Sequence, residues 1–234
     1  MNIRIGAGWL AHVFKASTRN EHIEYCEHFD SHLPDEAVIF DVGAHAGQFS
    51  KLFARMRPQG HIYAFEPSPY ARSVLQPALR FNRISNVTVV PAGLSDAPGV
   101  SVLRTPIKSR GGMGFGRASL GEGETRTTVA TEVQLLTIDE FVDREGLDRL
   151  DFIKADIEGW EAHMLRGAKQ ALERFRPAIF LEVDDQLLAG AGERPEAIWS
   201  LLGGLGYQAV KADCWTPSSI FSGTGDYLFS RQKT

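Results

Sequence analysis

The stretch Val38-Ile39-Phe40-Asp41-Val42-Gly43-Ala44-His45-Ala46-Gly47 decides the fold of this 234-residue chain. An apolar run reaches an acid, and two glycines follow at a spacing of G-x-x-x-G. Gly43 and Gly47 let the backbone bend sharply and approach a ligand closely, because no Cβ stands in the way. The pattern predicts a buried strand, a tight ligand-binding turn and a following helix.

The same alternation of apolar run and helical pattern continues outward from this stretch. Strands are predicted at residues 37–40, 61–65, 87–90, 150–155 and 178–183, and helices at 49–57, 70–81, 161–175 and 195–205. Such alternation is typical of βαβ units. Continuous rather than alternating hydrophobicity indicates strands covered by helices on both faces, as in parallel sheets. The predicted fold class is therefore α/β.

Two segments depart from this rhythm. Residues 1–36 are predicted to form an N-terminal helical appendage, with the main domain at 37–234. Within the domain, residues 106–127 form a glycine-rich loop that is either a functional lid or a disordered insertion. As a lid, it would bring Met113 and Phe115 over a bound acceptor.

Composition limits the class of protein. With 43% apolar and 23% charged residues the chain is an ordinary globular protein. A net charge of -4 lacks the basic excess of a nucleic-acid-binding protein. The two cysteines, Cys26 and Cys214, are too far apart to indicate a disulfide framework or a zinc site, and they suit a reducing cytoplasm. No apolar run has the length of a transmembrane helix, roughly 18 residues.

Apolar residues also recur at helical spacing near the N-terminus, at Trp9, Leu10, Val13 and Phe14. Such a helix could dock on the domain, on a second subunit as a homodimer, or on a membrane surface. We favour docking on the domain, because the polar face lacks the cluster of lysine and arginine that membrane-surface helices carry.

Four of the five predicted strands lead into an acid: Asp41, Glu66, Asp156 and Glu182. In open α/β sheets ligands bind at the carboxyl ends of the strands, so these acids are expected to surround one crevice. Acids also favour helix N-termini, which makes any one of them weak evidence. Together they indicate a ligand with positive charge or hydroxyl groups.

The turn discriminates between two nucleotide cofactors. Glu66 lies 23 residues after Gly43, a suitable distance for binding the ribose of either NAD or S-adenosylmethionine. The turn lacks the G-x-G-x-x-G pattern that binds pyrophosphate. Asp41 would repel a pyrophosphate and attract an ammonium or sulfonium group. S-adenosylmethionine is therefore favoured, with an NAD(P)-dependent oxidoreductase and a catalytically inactive interaction module as alternatives.

At this level of detail the chain resembles the FkbM-type methyltransferases, from about Val38 to Phe229. The resemblance rests on four motifs in order: residues 41–47, Ala64-Phe65-Glu66-Pro67, Asn86-Val87 through Gly93-Leu94-Ser95-Asp96, and Asp151-Phe152-Ile153-Lys154-Ala155-Asp156-Ile157-Glu158-Gly159-Trp160-Glu161 followed by Leu165-Arg166-Gly167-Ala168. It implies a class I, Rossmann-like, doubly wound sheet of seven strands, mostly parallel, with an antiparallel last strand near Asp226. It further implies O-methylation of a small-molecule or glycan hydroxyl, with a sugar or natural product as acceptor.

The resemblance also implies donor contacts for residues after the strand ends: Asp41, Gly43, Ala44, His45, Gly47, Glu66, Pro67 and Asp156, with the adenine near Ala92 and Gly93. Position 45 is commonly asparagine in this family. His45 is expected to contact the methionine part of the donor, to cap the next helix, or to transfer a proton.

Catalytic candidates follow the strand that ends at Asp156. Alternation places Lys154 and Asp156 on one face, where the lysine would lower the pKa of the carboxyl group. Glu158, beside flexible Gly159, is the favoured general base, and Asp156 and Glu182 are the other candidates. Asp156, Glu182 and Asp184 could bind Mg²⁺, but no ligand spacing is diagnostic, so no metal is assigned.

Four further side chains are not assigned a catalytic role. Trp160 and His163 follow the Glu158 turn near the expected acceptor side, and the tryptophan is assigned to packing in preference to stacking on a sugar. His28 stands four residues before His32 without the glutamate of H-E-x-x-H, and both are assigned to the surface.

Overall fold

The structure is a computed structural model that describes residues 6–106, 119–120 and 128–231. Of the glycine-rich loop predicted at 106–127, only residues 106, 119 and 120 are described, so Met113 and Phe115 lie outside the described residues. The choice between lid and disordered insertion stays a prediction.

Helices and strands alternate along most of the described chain. The helices are α1 (Ala7–Thr18), α2 (Cys26–Asp30), α3 (Gln48–Met56), α4 (Pro69–Phe81), α5 (Ile138–Glu145), α6 (Glu161–Arg166), α7 (Lys169–Phe175), α8 (Asp185–Gly190) and α9 (Pro195–Gly204), with a 3₁₀ turn at Ile23–Tyr25. The strands are β1 (Val38–Val42), β2 (His61–Phe65), β3 (Val87–Val90), β4 (Ala92–Leu94), β5 (Gly99–Pro106), β6 (Ser119–Leu120), β7 (Thr128–Leu136), β8 (Phe152–Ala155), β9 (Ala178–Val183), β10 (Gln208–Lys211), β11 (Thr216–Pro217) and β12 (Gly225–Ser230).

The main sheet confirms the predicted α/β class. Its strand order is β11-β10-β12-β9-β8-β1-β2-β3. Strands β3, β2, β1, β8 and β9 are parallel, and β12 runs antiparallel between β9 and β10. The expected seven strands are therefore present, and the two-residue β11 is added at one edge. The order reverses between β1 and β8, which places the crevice at their carboxyl ends.

Two details differ from the sequence prediction. The helix predicted at 161–175 is divided into α6 and α7, because the backbone leaves the helical conformation at Gly167 and Ala168, with ψ values of 4° and 7°. A Cβ on Gly167 would lie 2.0 Å from the Ser95 carbonyl oxygen. The short β-like pieces around 100–133 form one continuous antiparallel ladder, β5 with β7, in a second sheet of order β4-β7-β5-β6.

The main sheet has a hydrophobic core on each face. One core contains Phe40 and Ile153 with residues of α5, α6 and α9, and the other contains Phe152 and Phe180 with residues of α3. Phe29 of α2 is fully buried in the second core. The N-terminal segment thus packs against the sheet, while the boundary at residue 36 stays a prediction.

Helix α1 docks on α4 through the inner pair of the apolar residues identified in the sequence. Trp9 and Val13 pack there, and Trp9 Nε1 donates to Ser73 Oγ at 3.0 Å. The outer pair, Leu10 and Phe14, is 57% and 71% exposed. Among the described residues, no helix is both long and apolar enough to span a membrane.

Candidate functional site

The glycine turn after β1 is shaped by its protein neighbours. Gly43 and Gly47 have φ values of 72° and 85°, in the left-handed region. A Cβ on Gly43 would lie 2.0 Å from the Asp156 carbonyl oxygen, and one on Gly47 would lie 2.3 Å from Leu75 Cδ1. Glycine is therefore required because the turn packs tightly between the loop after β8 and α4, in addition to any contact with a ligand.

Asp41, the last polar side chain of β1, is completely buried. Its Oδ2 accepts a hydrogen bond from Ser50 Oγ at 2.5 Å. Its Oδ1 has no hydrogen-bond partner among the described residues, and the nearest cation is Lys154 Nζ at 3.7 Å. A buried carboxylate oxygen without a donor is costly, so the residues at this position fit a ligand that brings an ammonium or sulfonium group.

Glu66 follows β2 and holds the turn in place. Its carboxylate accepts hydrogen bonds from the backbone N–H groups of His45 and Ser68, each at 2.7 Å. Burial raises the pKa of Glu66 to about 7, although these two N–H groups favour the ionised form. Each oxygen keeps a second lone pair for a ligand hydroxyl. Glu66 thus remains the proposed ribose contact.

His45 lies in the turn with φ 52°, and burial lowers the pKa of its imidazole to about 4. The side chain is therefore neutral at pH 7. A neutral imidazole can form hydrogen bonds with the bound methyl donor, but it carries no positive charge. Its contact with the donor remains a proposal.

The proposed adenine contacts lie together at the start of the second sheet. Ala92 and Gly93 are buried in β4, which pairs with β7. A Cβ on Gly93 would lie 3.0 Å from Leu135 Cδ2 and 3.8 Å from Pro67 Cγ. The structure therefore brings Pro67, which follows Glu66, beside Gly93, so two of the proposed donor contacts adjoin.

Lys154 occupies the centre of the crevice with its side chain 4% exposed. Its Nζ lies 3.7 Å from Asp41 Oδ1, 3.9 Å from Asp156 Oδ2 and 3.4 Å from the Gly43 carbonyl oxygen. It also lies 4.9 Å from the centre of the Phe49 ring. Lys154 therefore interacts electrostatically both with Asp41 and the glycine turn and with Asp156.

Asp156 and Glu182 form a coupled carboxyl pair at the ends of β8 and β9. Burial raises the pKa of Glu182 to about 8, helped by its hydrogen bond with Asp156 and by the charges of Asp156 and Asp226. Burial also opposes ionisation of Asp156, but the Lys154 charge and the hydrogen bond with Glu182 keep its pKa below the usual range. At pH 7 the pair therefore shares one proton, held mainly by Glu182.

Two site residues were not identified from the sequence. Asp226 is the second residue of β12 and the register partner of Glu182. Tyr25 Oη donates to Asp226 Oδ2 at 2.8 Å across 201 positions of the chain. Because β12 is antiparallel, its amino end lies at the carboxyl ends of the parallel strands, and its acid therefore precedes the apolar run. An acid just before the predicted last strand is the sequence signal that could have identified Asp226. Nothing local marks Tyr25.

The turn after β8 is organised by Glu161, which is 2% exposed. Its Oε1 accepts the N–H groups of Ile157 and Gly159 at 3.0 and 3.4 Å. Burial raises the pKa of Glu161 to about 7, although these N–H groups favour the charged form. Glu158, with φ 55°, lies near enough for its charge to raise the pKa of Glu182. Its role as base stays a prediction.

The remaining aromatic candidates have protein partners. Trp160 Nε1 donates to Ser95 Oγ at 3.1 Å, and its ring stacks on His163 at 4.3 Å. His163 Nδ1 lies 3.1 Å from Asp96 Oδ2. These contacts support the packing interpretation of Trp160. His28 stacks on Trp215 at 3.4 Å.

Of the three acids that could bind Mg²⁺, Asp184 has a structural role in a helix cap. Asp184 Oδ1 accepts the N–H groups of Gln186 and Leu187 and caps α8. In the part of the chain that the structure describes, no three His, Cys, Asp or Glu side chains are grouped closely enough to hold a metal ion.

Comparisons with known proteins agree with this geometry. The family model of the methyltransferase FkbM domain matches residues 41–209. The methyltransferase sdnD of Sordaria araneosa is 28% identical over 164 residues, 60% of this chain and 63% of that one. The 2-O-methyltransferase NoeI of Sinorhizobium fredii is 24% identical over 166 residues, 65% of each chain.

The chain spans between 10% and 65% of the length of the curated relatives it matches. A Streptococcus mutans protein solved in complex with SAH is similar with a TM-score of 0.53 and 10% identity, over 91% of this chain and 98% of that one. Likeness at this identity shows the fold, which is that of the class I methyltransferases.

Proposed function

The chain belongs to the FkbM family of methyltransferases, and from this premise we propose that it methylates a hydroxyl oxygen of a sugar or natural-product acceptor with S-adenosylmethionine as donor. The observation that carries the proposal is the Asp156–Glu182 pair, because a hydroxyl must lose a proton as it is methylated. The name of the relative NoeI, a 2-O-methyltransferase, supports oxygen as the acceptor atom.

The donor half of the site lies at β1 and β2. Asp41 would accept the positively charged end of the donor, Glu66 and Pro67 its ribose, and Ala92 and Gly93 its adenine. His45 and the backbone of Ala44 and Gly47 would complete the turn around it. When bound, S-adenosylmethionine supplies a methyl group activated by its sulfonium, so the protein contributes mainly position and a base.

The acceptor half lies at β8, β9 and β12. Lys154 fixes Asp156 between the donor turn and Glu182. Glu182, whose pKa is about 8, is the carboxylate best matched to taking a proton from a hydroxyl near neutral pH. We propose Glu182 as general base with Asp156 as its proton-sharing partner, and Glu158 as the alternative base.

The activity is tested by measuring S-adenosylhomocysteine release from purified protein with a panel of hydroxylated acceptors, followed by mass spectrometry of each product. The proposal expects a mass increase of one methyl group on oxygen. Transfer to nitrogen or carbon would contradict O-methylation. Donor binding without turnover on any acceptor would favour the inactive interaction module.

The ribose assignment is tested at Glu66. Glu66→Gln removes the charge that a ribose hydroxyl would donate to, and a hydrogen bond to a charged group is worth about 1.5–3 kcal/mol. We expect donor affinity to fall about tenfold or more by calorimetry. Glu193→Gln, a carboxylate change at the Arg166 ion pair, is the control and should leave affinity unchanged. Equal affinity in wild type and Glu66→Gln would remove the ribose assignment.

A further inference from the structure

The acceptor half of the site is a row of carboxyl groups on one face of the sheet. Lys154 and Phe180 are register partners, and Glu182 and Asp226 are register partners on the next strand pair. Asp156 lies two residues after Lys154, and Glu182 lies two residues after Phe180. Both side chains are therefore on the same face of the sheet as that pair. Asp156, just after β8, Glu182 on β9 and Asp226 on β12 thus lie on three neighbouring strand ends.

Among the described residues, Lys154 is the cation that forms an ion pair with this row, and it stands at the donor end, where it is divided between Asp41 and Asp156. Asp226 is at the opposite end. Burial raises the pKa of Asp226, and the Asp156 charge raises it further, while the hydrogen bond from Tyr25 and the Lys154 charge favour the ionised form. His22 also acts on Asp156 and Asp226 through its charge when it is protonated.

The N-terminal segment closes that far end. Tyr25 donates its hydroxyl to Asp226 Oδ2 at 2.8 Å, and its ring packs against Phe180 at 5.0 Å and Phe29 at 5.6 Å. His22 stacks on Phe49 at 4.1 Å. One oxygen of Asp226 is therefore oriented by Tyr25.

A second observation indicates that the row serves a ligand. Asp41, at its donor end, is completely buried, and within the described residues its Oδ1 accepts no hydrogen bond. The crevice that the row lines thus also presents, on the other side of Lys154, a carboxylate oxygen that suits a cationic ligand.

We propose, on the basis of the function proposed above, that Asp226, oriented by Tyr25, binds the acceptor and selects its charge class. The acceptor presents hydroxyl or ammonium groups to Asp226, and anionic acceptors such as uronic acids or phosphorylated sugars are rejected. Rejection follows because an added anion would face the charges of Asp156 and Asp226. Among the described residues, the cations whose charges act on Asp226 are Lys154, which is already divided between Asp41 and Asp156, and His22 when it is protonated. Asp226 is a specificity-determining residue, and Tyr25 is a positioning residue that acts through it.

The test uses donor analogues that need no known acceptor. In these adenosine derivatives a nitrogen replaces the sulfur and carries an arm of two, three or four carbons, which ends in an ammonium, a hydroxyl or a carboxylate. Affinities for the full chain are measured by calorimetry beside S-adenosylhomocysteine. The ammonium and hydroxyl arms are expected to bind at least about tenfold more tightly than the carboxylate arm of equal length.

Asp226→Asn is expected to reduce this preference by about tenfold and Tyr25→Phe by about threefold, without changing the affinity for S-adenosylhomocysteine. Tyr63→Phe, a tyrosine packed on the opposite face against Phe141, is the control and should keep the full preference. A change in the ratio of affinities for the ammonium and carboxylate arms indicates contact with the ligand. A merely structural role would leave this ratio unchanged. If Asp226→Asn does not fold, Tyr25→Phe decides alone.

Carboxylate arms that bind as well as ammonium arms would overturn the inference while leaving the proposed function intact. Full preference retained in Asp226→Asn, or in Tyr25→Phe when that variant decides alone, would overturn the assignment of these residues. Absence of S-adenosylhomocysteine binding would instead contradict the proposed function itself.

Discussion

Glu182→Gln is expected to lower the rate of methyl transfer about 10²–10⁴-fold, the usual contribution of a positioned general base. Glutamine keeps the size and hydrogen-bonding shape of the protonated side chain but takes no proton from the acceptor. The affinity for S-adenosylhomocysteine should stay unchanged, because Glu182 belongs to the acceptor half. Single-turnover rates with a saturating acceptor give the chemical step directly.

The pH dependence gives the same base an independent signature. Only ionised Glu182 accepts a proton, and burial raises its pKa to about 8, so the wild-type rate should rise as pH passes through about 8. The rise should be absent in Glu182→Gln. Glu158→Gln distinguishes the alternative base: a large loss there with normal activity in Glu182→Gln would show that Glu158 takes the proton.

Lys154→Met is expected to lower the free energy of unfolding by about 3–5 kcal/mol, the range found when one partner of a buried ion pair is removed. Asp41 is completely buried, and without Lys154 its charge would retain only the hydrogen bond from Ser50. Urea denaturation followed by circular dichroism measures the change.

Two further variants isolate the cause of that loss. Asp41→Asn combined with Lys154→Met should recover part of the stability, because the stranded charge is then absent. Lys169→Met, at an exposed lysine that begins α7, should change stability by less than about 0.5 kcal/mol. A Lys154→Met protein as stable as wild type would mean that Asp41 is not an ionised partner of the lysine.

The donor half of the fold could be predicted closely from the sequence, because its signals are local. The apolar runs that became β2 and β3, and also β9 of the acceptor half, were predicted with the observed boundaries. Each core strand is followed by its acid or glycine within a few residues, and parallel strands bring those ends to one edge. The family match, which begins at Asp41, favours a methyltransferase over the alternative of an NAD(P)-dependent oxidoreductase.

The acceptor half depends on contacts that no local pattern records. Tyr25 and Asp226 meet across 201 positions. The raised pKa of Glu182 arises from burial and from neighbours on two other strands. At the break between α6 and α7, Gly167 likewise packs against Ser95, a distant residue in the sequence. Burial and tertiary neighbours, rather than residue type, decide these features.

If Glu182 is the general base and Asp156 its proton-sharing partner, this pair must face the methyl group of the bound donor. Calorimetric comparison of sinefungin, which carries an amine at the position of that methyl, with S-adenosylhomocysteine tests it most directly. We expect sinefungin to bind more tightly than S-adenosylhomocysteine. Asp156→Asn should remove most of this difference in affinity, because it removes a negative charge beside the amine. Equal or weaker binding of sinefungin, or an advantage that Asp156→Asn leaves intact, would contradict it.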